Sequence, residues 1–292
     1  MKTDFIKRLR GRSKRVNRSR TANIVIFTLM TLFGLFMALP MIYAISNSLK
    51  PLDELWEYPP KLFVRNPTLN NYRDLFNLMG DSWVPITRYL FNTVFITVVG
   101  TLGHVILSSM CAFPLAKMKF PGRNFIFGVI VTSLMFSGAV TSVPSYIIMS
   151  KLKWLDNYAS LIVPAFGSSL GLYLMKQFME NIPDALLESA VVDGAGYWTR
   201  FMKIVMPQVK PAWLTLVIFS VQSLWNTGSS IYIYSEELKT LPSALNQIVS
   251  GGIARMGASG AVTVLMMSVP IIVFIISQSR VVETMSSSGI KG

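Results

Sequence analysis

One histidine, one cysteine and fourteen acidic residues in a chain of 292 leave little material for side-chain chemistry. The lone Cys111 excludes an internal disulfide and any cysteine-based metal cluster, and a single imidazole, His104, cannot build a zinc site with its usual three or four ligands. No H-E-x-x-H occurs. Gly167-Ser-Ser169-Leu-Gly171 has the G-x-S-x-G spacing of a nucleophile elbow. It falls inside a long apolar run instead of on a strand-to-helix turn, where its small residues suit close helix packing. Gly252 and Gly257 have the spacing of a phosphate-binding loop, but Ala258 stands where the lysine belongs, so ATP binding has no support. The sequence therefore offers no catalytic residue and no metal ligand set, and it does not read as an enzyme.

Acids are missing most conspicuously where the chain is most apolar. Hydrophobic residues make up 52% of the composition and charged ones 14%. The apolar residues gather in runs near the twenty needed to cross about 30 Å of hydrocarbon. They cover 23–49, 89–115, 124–150, 158–175, 211–232 and 258–279, and none contains Asp or Glu. Backbone groups in lipid must be satisfied within the segment, which selects helices, and the runs lack the alternation of barrel strands. The expected fold is an all-α membrane protein with six transmembrane helices. Residues 1–22 form a basic arm, and 23–292 a single transmembrane domain.

Charge sets the orientation. The first twenty residues hold nine Lys and Arg against one acid, Asp4, the flank expected on the cytoplasmic side. Six spans then place Lys117, Lys119, Arg123, Lys176, Arg200, Lys203, Lys210, Arg280 and Lys291 inside too, with both termini cytoplasmic. The net charge of +13 is concentrated in one juxtamembrane arm, where anionic lipid and topology account for it without a nucleic-acid partner. The first apolar run is too long for a signal-peptide core and reads as an uncleaved anchor. His104 lies within the second run; hydrogen bonding to a neighbouring helix is its commoner role, a functional site the rarer one.

Between the fourth and fifth runs lies a charged, polar segment, 181–207. Pro183 and Asp184 mark a helix start, with acids near the positive helix end. Asp193-Gly194-Ala195-Gly196 should break that helix. A second short helix from Tyr197 to Met206 should present Trp198, Phe201 and Ile204 on one side, with Pro207 ending it. The expected product is a cytoplasmic helix-turn-helix knob, solvated yet apolar enough to enter a partner's groove.

Glu188, with Gly194 six residues on, Ile204 sixteen on and Pro207 nineteen on, resembles the EAA signature of ABC-importer permeases. Ser189 replaces the usual Ala and Met206 the usual Leu. Lys117-Met-Lys119-Phe120-Pro121-Gly122 resembles the basic turn of carbohydrate permeases of the MalG type, and the Gly289-Ile-Lys291-Gly292 tail is similar to theirs. The resemblance covers nearly the whole chain except the basic arm, and implies the type I ABC importer permease fold. It implies that Glu188, Ser189, Ala190, Asp193, Gly194 and Ala195, with Phe201, Ile204 and Pro207, form the coupling segment that docks on a separate ATPase. Gly289, Lys291 and Gly292 would reach the interface between two such ATPases. ATP and Mg would belong to those subunits, leaving no cofactor in this chain. The further partners implied are a second homologous permease subunit, an extracytoplasmic solute-binding protein and an oligosaccharide. Alginate and pectin fragments belong to this branch, and Arg88, Lys151, Lys153 and Arg255 on the outer side suit such anions. The implied location is the cytoplasmic membrane of a bacterium.

Two features stay open at the level of sequence. Asn92, Gln222, Trp225 and Asn226 suit a sugar pathway, since sugars are held by aromatic faces and amides, but the same residues also glue helices together. Outer aromatics such as Trp56, Tyr58, Tyr72 and Trp83, and the stretch 234–255, fit contacts with a binding protein or an interfacial belt equally. A permease for another solute is an alternative. A stand-alone secondary transporter is another, but it would need ionisable groups inside the spans, which the runs lack.

Overall fold

The computed structural model describes residues 20–80, 83–228, 231–252 and 255–288. Most of the basic arm over 1–22, together with Gly289, Lys291 and Gly292, lies outside the described residues. Among those described, every regular element is helical.

Runs without charges give the long helices. α1 (Arg20–Leu49) has no ionisable side chain after its first residue, and nearly all of its surface faces outward, as expected where lipid is the solvent. α2 (Leu52–Leu55) and α3 (Asn70–Gly80) follow, at the end of the bundle where the next helix begins. α4 (Ile86–Lys117) is the axis of the bundle. It packs against α7 (Ala159–Phe166), α8 (Ser169–Glu180) and α11 (Lys210–Trp225). α13 (Met256–Ser288) then packs between α11 and α1.

Four helices are long and apolar enough to span a bilayer, Thr21–Leu49, Ile86–Lys117, Ala159–Glu180 and Met256–Gln278. Two bent pairs bring the count to six if each is one span. In the first pair, α5 (Arg123–Ser133) meets α6 (Gly138–Lys151) at 109°. The expected run 124–150 is thus two arms, not one straight rod. Leu134, Met135 and Phe136 make only i→i−3 backbone bonds there, and the Ser133 hydroxyl donates to Ile130 O at 2.6 Å and meets Ser169 Oγ at 2.5 Å. Hydroxyls thus occupy positions that a continuing helix would satisfy with its own backbone.

The second pair joins α10 (Tyr197–Gln208) to α11 at 77°. α11 ends at Trp225, short of the expected 232. Its last turn is closed by Asn226 Nδ2 donating to Gln222 O and Thr227 Oγ1 to Ser223 O, each at 2.8 Å. The next residues become an outer loop leading to α12 (Leu241–Val249).

Burial falls into an inner and an outer cluster. The inner one joins Phe113 of α4, Met175 and Met179 of α8, and Val205 and Val209 beside α11. The outer one joins Leu75 of α3, Tyr89 of α4, Leu245 of α12 and Ala261 of α13. Between them Gly171 lets α8 approach α4, since a Cβ there would lie 2.0 Å from His104 Nε2. His104 Nδ1 bonds Ser220 Oγ of α11 at 2.5 Å, so the single histidine ties helices together. This glycine in the G-x-S-x-G run is indeed a packing residue.

Candidate functional site

The segment over 181–207 folds as two helices around a glycine. Asp184 opens α9 (Asp184–Val192) and complements its positive end. Gly194 adopts φ +78°, the left-handed conformation that ends helices and that a Cβ disfavours. Ala195 N donates back to Ala190 O at 2.8 Å and Gly194 N to Val191 O at 3.0 Å, closing the turn. α10 then contains a π-helical stretch, Arg200–Val205.

Trp198, Phe201 and Ile204 stay neighbours across that stretch: the Trp198 and Phe201 rings lie 5.6 Å apart between centroids, and Ile204 packs against the cluster that holds Phe201. Burial is graded along them, with Trp198 61% exposed, Ile204 half-buried and Phe201 buried. Phe201 turns inward and meets Phe113 of α4 at 5.5 Å between ring centroids. Ala190 is also buried. Glu188, Ser189, Asp193, Gly194 and Pro207 are exposed, and Ala195 is half-buried. Pro207 does not end α10, which continues to Gln208. Val191, Val192, Tyr197, Trp198 and Met202 supply an exposed apolar rim, with Val192 at 87%.

A charged brace ties this knob to the bundle. Lys117, the last residue of α4, keeps only 6% of its side chain exposed. Its Nζ donates to Ile182 O at 2.5 Å, Asp184 Oδ1 at 2.6 Å and Glu180 O at 3.2 Å. The Lys117 hydrogen bond, then its charge, holds the Asp184 carboxyl below the usual carboxylate range. Glu180 in turn pairs with Lys176 at 2.7 Å and Arg123 at 3.6 Å. Sequence reading counts these bases toward topology and misses their second task. Partners 63 to 67 residues away leave no local signal.

On the outer side, Asn92 contributes no surface to any cavity, being wholly buried. Its Nδ2 donates to Glu237 O and Lys239 O, both at 2.8 Å, while Tyr158 donates to its Oδ1 at 2.7 Å. Arg88 Nε also reaches Glu237 O, Tyr89 donates to Glu236 Oε1, and Leu241 N donates to Thr93 Oγ1. The first turns of α4 thus grip the loop over 236–241. Asp156 holds the preceding residues by accepting from the Ser235 hydroxyl, Ser235 N and Tyr234 N. Those bonds, the Ser235 hydroxyl first, keep its carboxyl below its ordinary value.

Trp225 is buried too, its Nε1 donating to Met266 O at 3.1 Å. Of the four candidate pathway residues, Gln222 and Asn226 do line a cavity, of about 610 Å³. Asn246, Ser259 and Thr263 add polar atoms, and Met266 and Pro270 an apolar wall. Asn92 and Trp225 are packing residues instead, and a polar side chain in a span looks alike in sequence whichever role it has. No cluster of three potential metal ligands occurs among the described residues.

Known proteins resemble the whole chain. A family model described as "Binding-protein-dependent transport system inner membrane component" matches residues 11–287. A polygalacturonan/rhamnogalacturonan transport system permease protein of Bacillus subtilis is 31% identical over 252 residues, 82% of this chain and 85% of that one. An arabinooligosaccharides transport system permease protein of the same organism is 29% identical, covering 94% of this chain and 96% of its own length. Among solved structures, the crystal structure of a bacterial ABC transporter involved in import of the acidic polysaccharide alginate includes a chain that superposes with a TM-score of 0.74 at 23% identity. That match covers 90% of this chain and 98% of the other.

Proposed function

This chain belongs to the family of binding-protein-dependent transport system inner membrane components, transporter permease subunits that are not themselves enzymes, and from that membership we propose that it is half of the membrane pathway of an ATP-driven oligosaccharide importer. The other half is a second, homologous permease subunit. Two ATP-binding subunits dock on the cytoplasmic side and carry the ATP and Mg, while a solute-binding protein delivers the sugar outside. The chain lies in a bacterial inner membrane with both termini cytoplasmic, an orientation supported by the basic residues of the arm and inner turns.

The observation that carries this reading is the apolar rim of the docking segment. Val191, Val192, Tyr197, Trp198 and Met202 stand exposed around the Gly194 turn, in a segment flanked by charges and outside the long apolar runs. A clustered apolar rim on a polar element marks a contact surface. Glu188, Ser189, Asp193 and Gly194 lie on the same exposed part, while Phe201 and Leu187 anchor the knob from within. Closing of the two ATPases would draw the paired knobs together and rock the helices behind them, opening the pathway to alternate sides.

Sugar transport is supported by the relatives and by the cavity's amides, since Gln222, Asn226 and Asn246 each offer both donors and acceptors to hydroxyls. The names of the permease relative and the structural neighbour both contain acidic polysaccharides. Uronate-bearing oligosaccharides are therefore the first substrates to try.

Purification from membranes that co-express candidate ATP-binding subunits tests the reading. Wild type should retain the ATPase, and Glu188→Ala or Gly194→Asp should lose it. Retention by both variants at wild-type yield would remove the docking segment from the interface. Uptake of labelled oligogalacturonide should be competed by uronate oligomers more strongly than by neutral arabino-oligomers. Gln222→Ala should raise KM for uptake without altering ATPase copurification.

A further inference from the structure

Resting on the importer reading above, we propose that α4 is the connecting rod between the cytoplasmic docking segment and the outer loop over 236–241, with Lys117 as its inner pin and Asn92 among its outer ones. α4 has 32 residues without a break, a length of about 48 Å at 1.5 Å per residue, enough to join the two faces of a bilayer. Pro114 is its sole interior proline, one turn from the cytoplasmic end, so the stretch between the two grips lacks only the ladder bond that a residue with an N–H at 114 would donate to the Met110 carbonyl.

Each end holds its load by several convergent contacts. At the inner end Lys117 Nζ meets two main-chain carbonyls and one carboxylate, and Phe113 packs on Phe201 inside the knob. These grips fix both the start of α9 and the underside of α10. At the outer end Arg88, Tyr89, Asn92 and Thr93 bond to four residues of one short loop, Glu236, Glu237, Lys239 and Leu241. Asn92 meets two of that loop's carbonyls at once. A rigid element pinned at both ends transmits a displacement that a chain of single contacts would absorb. Movement of the knob as the ATPases close therefore moves the outer loop, and loading of the outer loop biases the ATPases by the same coupling free energy. Lys117 and Asn92 are positioning residues. Neither touches nucleotide or needs to touch sugar.

The test reads the outer loop while driving the inner end, and needs no knowledge of the sugar. Cys111→Ser removes the only native thiol, and Glu237→Cys places a reporter on the loop, because the Glu237 side chain is exposed while its carbonyl is the gripped group. The complex with its ATPase is labelled by a membrane-impermeant maleimide, once without nucleotide and once trapped with ATP and vanadate. With the pins intact the labelling rate should differ about five-fold or more between the two states, the low end of ordinary allosteric coupling. Lys117→Met should abolish that difference while the ATPase still copurifies and still traps nucleotide. Lys117→Arg, which keeps the charge and the donors, should restore most of it. A merely structural role for Lys117 would shift labelling equally in both states, and a difference preserved in Lys117→Met would overturn the rod. Should Lys117→Met not yield folded complex, Lys117→Gln, with one amide donor left, takes its place under the same criterion. Absence of any ATPase from the unaltered chain would overturn the importer reading itself, an outcome distinct from a trapped complex whose loop does not respond.

Discussion

At its Asn92 end α4 grips the loop over 236–241 largely with uncharged groups that are themselves buried, whereas at its Lys117 end an ammonium reaches out to a partner that stands in solvent. Asn92 is wholly buried and every polar atom of its amide is used. Lys117 is nearly as enclosed, yet the side chain of Asp184 opposite it is 74% exposed. Neutral bonds in a buried setting are short-range, directional and indifferent to salt, and leaving one half of such a pair unsatisfied costs its full desolvation. An ion pair with one exposed member gains little from its charges. The two carbonyls Lys117 also meets, not its carboxylate, thus carry most of the inner grip. The contrast separates the two loads, a loop held by buried amide groups and a knob held by an ammonium at the edge of solvent.

Removing the outer amide should have the largest effect. Asn92→Leu leaves the Glu237 and Lys239 carbonyls and the Tyr158 hydroxyl without that partner, and at about 1–3 kcal/mol per buried orphan the loss should reach about 3 kcal/mol. It is read as a fall in the thermal unfolding midpoint of the detergent-solubilised chain. A sugar-binding Asn92 would behave in the opposite way, with stability unchanged and uptake affinity reduced. Gln222→Ala supplies that second pattern as the control. At the other end Lys117→Met should cost less, about 1–2 kcal/mol, because its bond to Ile182 O is only partly buried and that to Glu180 O is exposed. Asp184→Asn keeps an acceptor for Lys117 and should leave the midpoint close to wild type. An Asp184→Asn midpoint as low as that of Lys117→Met would show that charge, not the carbonyls, carries the grip, and the comparison of the two ends would collapse.

Much of this architecture was legible in the sequence, because hydrocarbon imposes a one-dimensional rule. Runs free of acids near twenty residues long mark the spans, and the glycine at 194 marks the turn of the knob, since a positive φ there is a local demand met by a local residue. Contacts made across the bundle were not legible. Asn92 lies 145 residues from Glu237, and nothing beside it distinguishes an amide that clamps a loop from one that faces a sugar. Trp225 and Gln222 are three residues apart, yet one is buried on α13 and the other lines the cavity. The π-helical stretch Arg200–Val205 was not legible either, because it has no reliable signature in composition. The bend after Ser133 likewise depends on a hydroxyl meeting Ser169 on another helix. The two-helix knob over 181–207 was legible from spacing, and its inward and outward faces needed the packing around it.

The smallest expected effect is the one that separates the two kinds of grip most directly. Asp156 outside and Asp184 inside both have carboxyl values held below the ordinary one, near 3.9. A depressed carboxyl stabilises the fold at any pH above its unfolded value, and that contribution disappears as pH falls through the folded value. Both anchors should therefore hold unchanged from neutrality down to about pH 5, and release only below the ordinary aspartate range. Their causes differ, however. Asp156 is lowered first by the Ser235 hydroxyl and then by backbone amides, all neutral donors, whereas Asp184 is lowered by the hydrogen bond and charge of Lys117. Raising salt to about 1 M, where the screening length is about 3 Å, should move the Asp184 midpoint toward the ordinary value and leave that of Asp156 in place. Carbon-13 labelling of aspartate carboxyls, with Asp156→Asn and Asp184→Asn for assignment, resolves the two titrations by NMR. Equal salt shifts at both sites would mean that charge acts on the outer loop as it does on the knob. In that event the grip of α4 on its two loads would be of one kind, and the exposed Lys and Arg residues of the outer face would have to be counted among the groups that hold the loop.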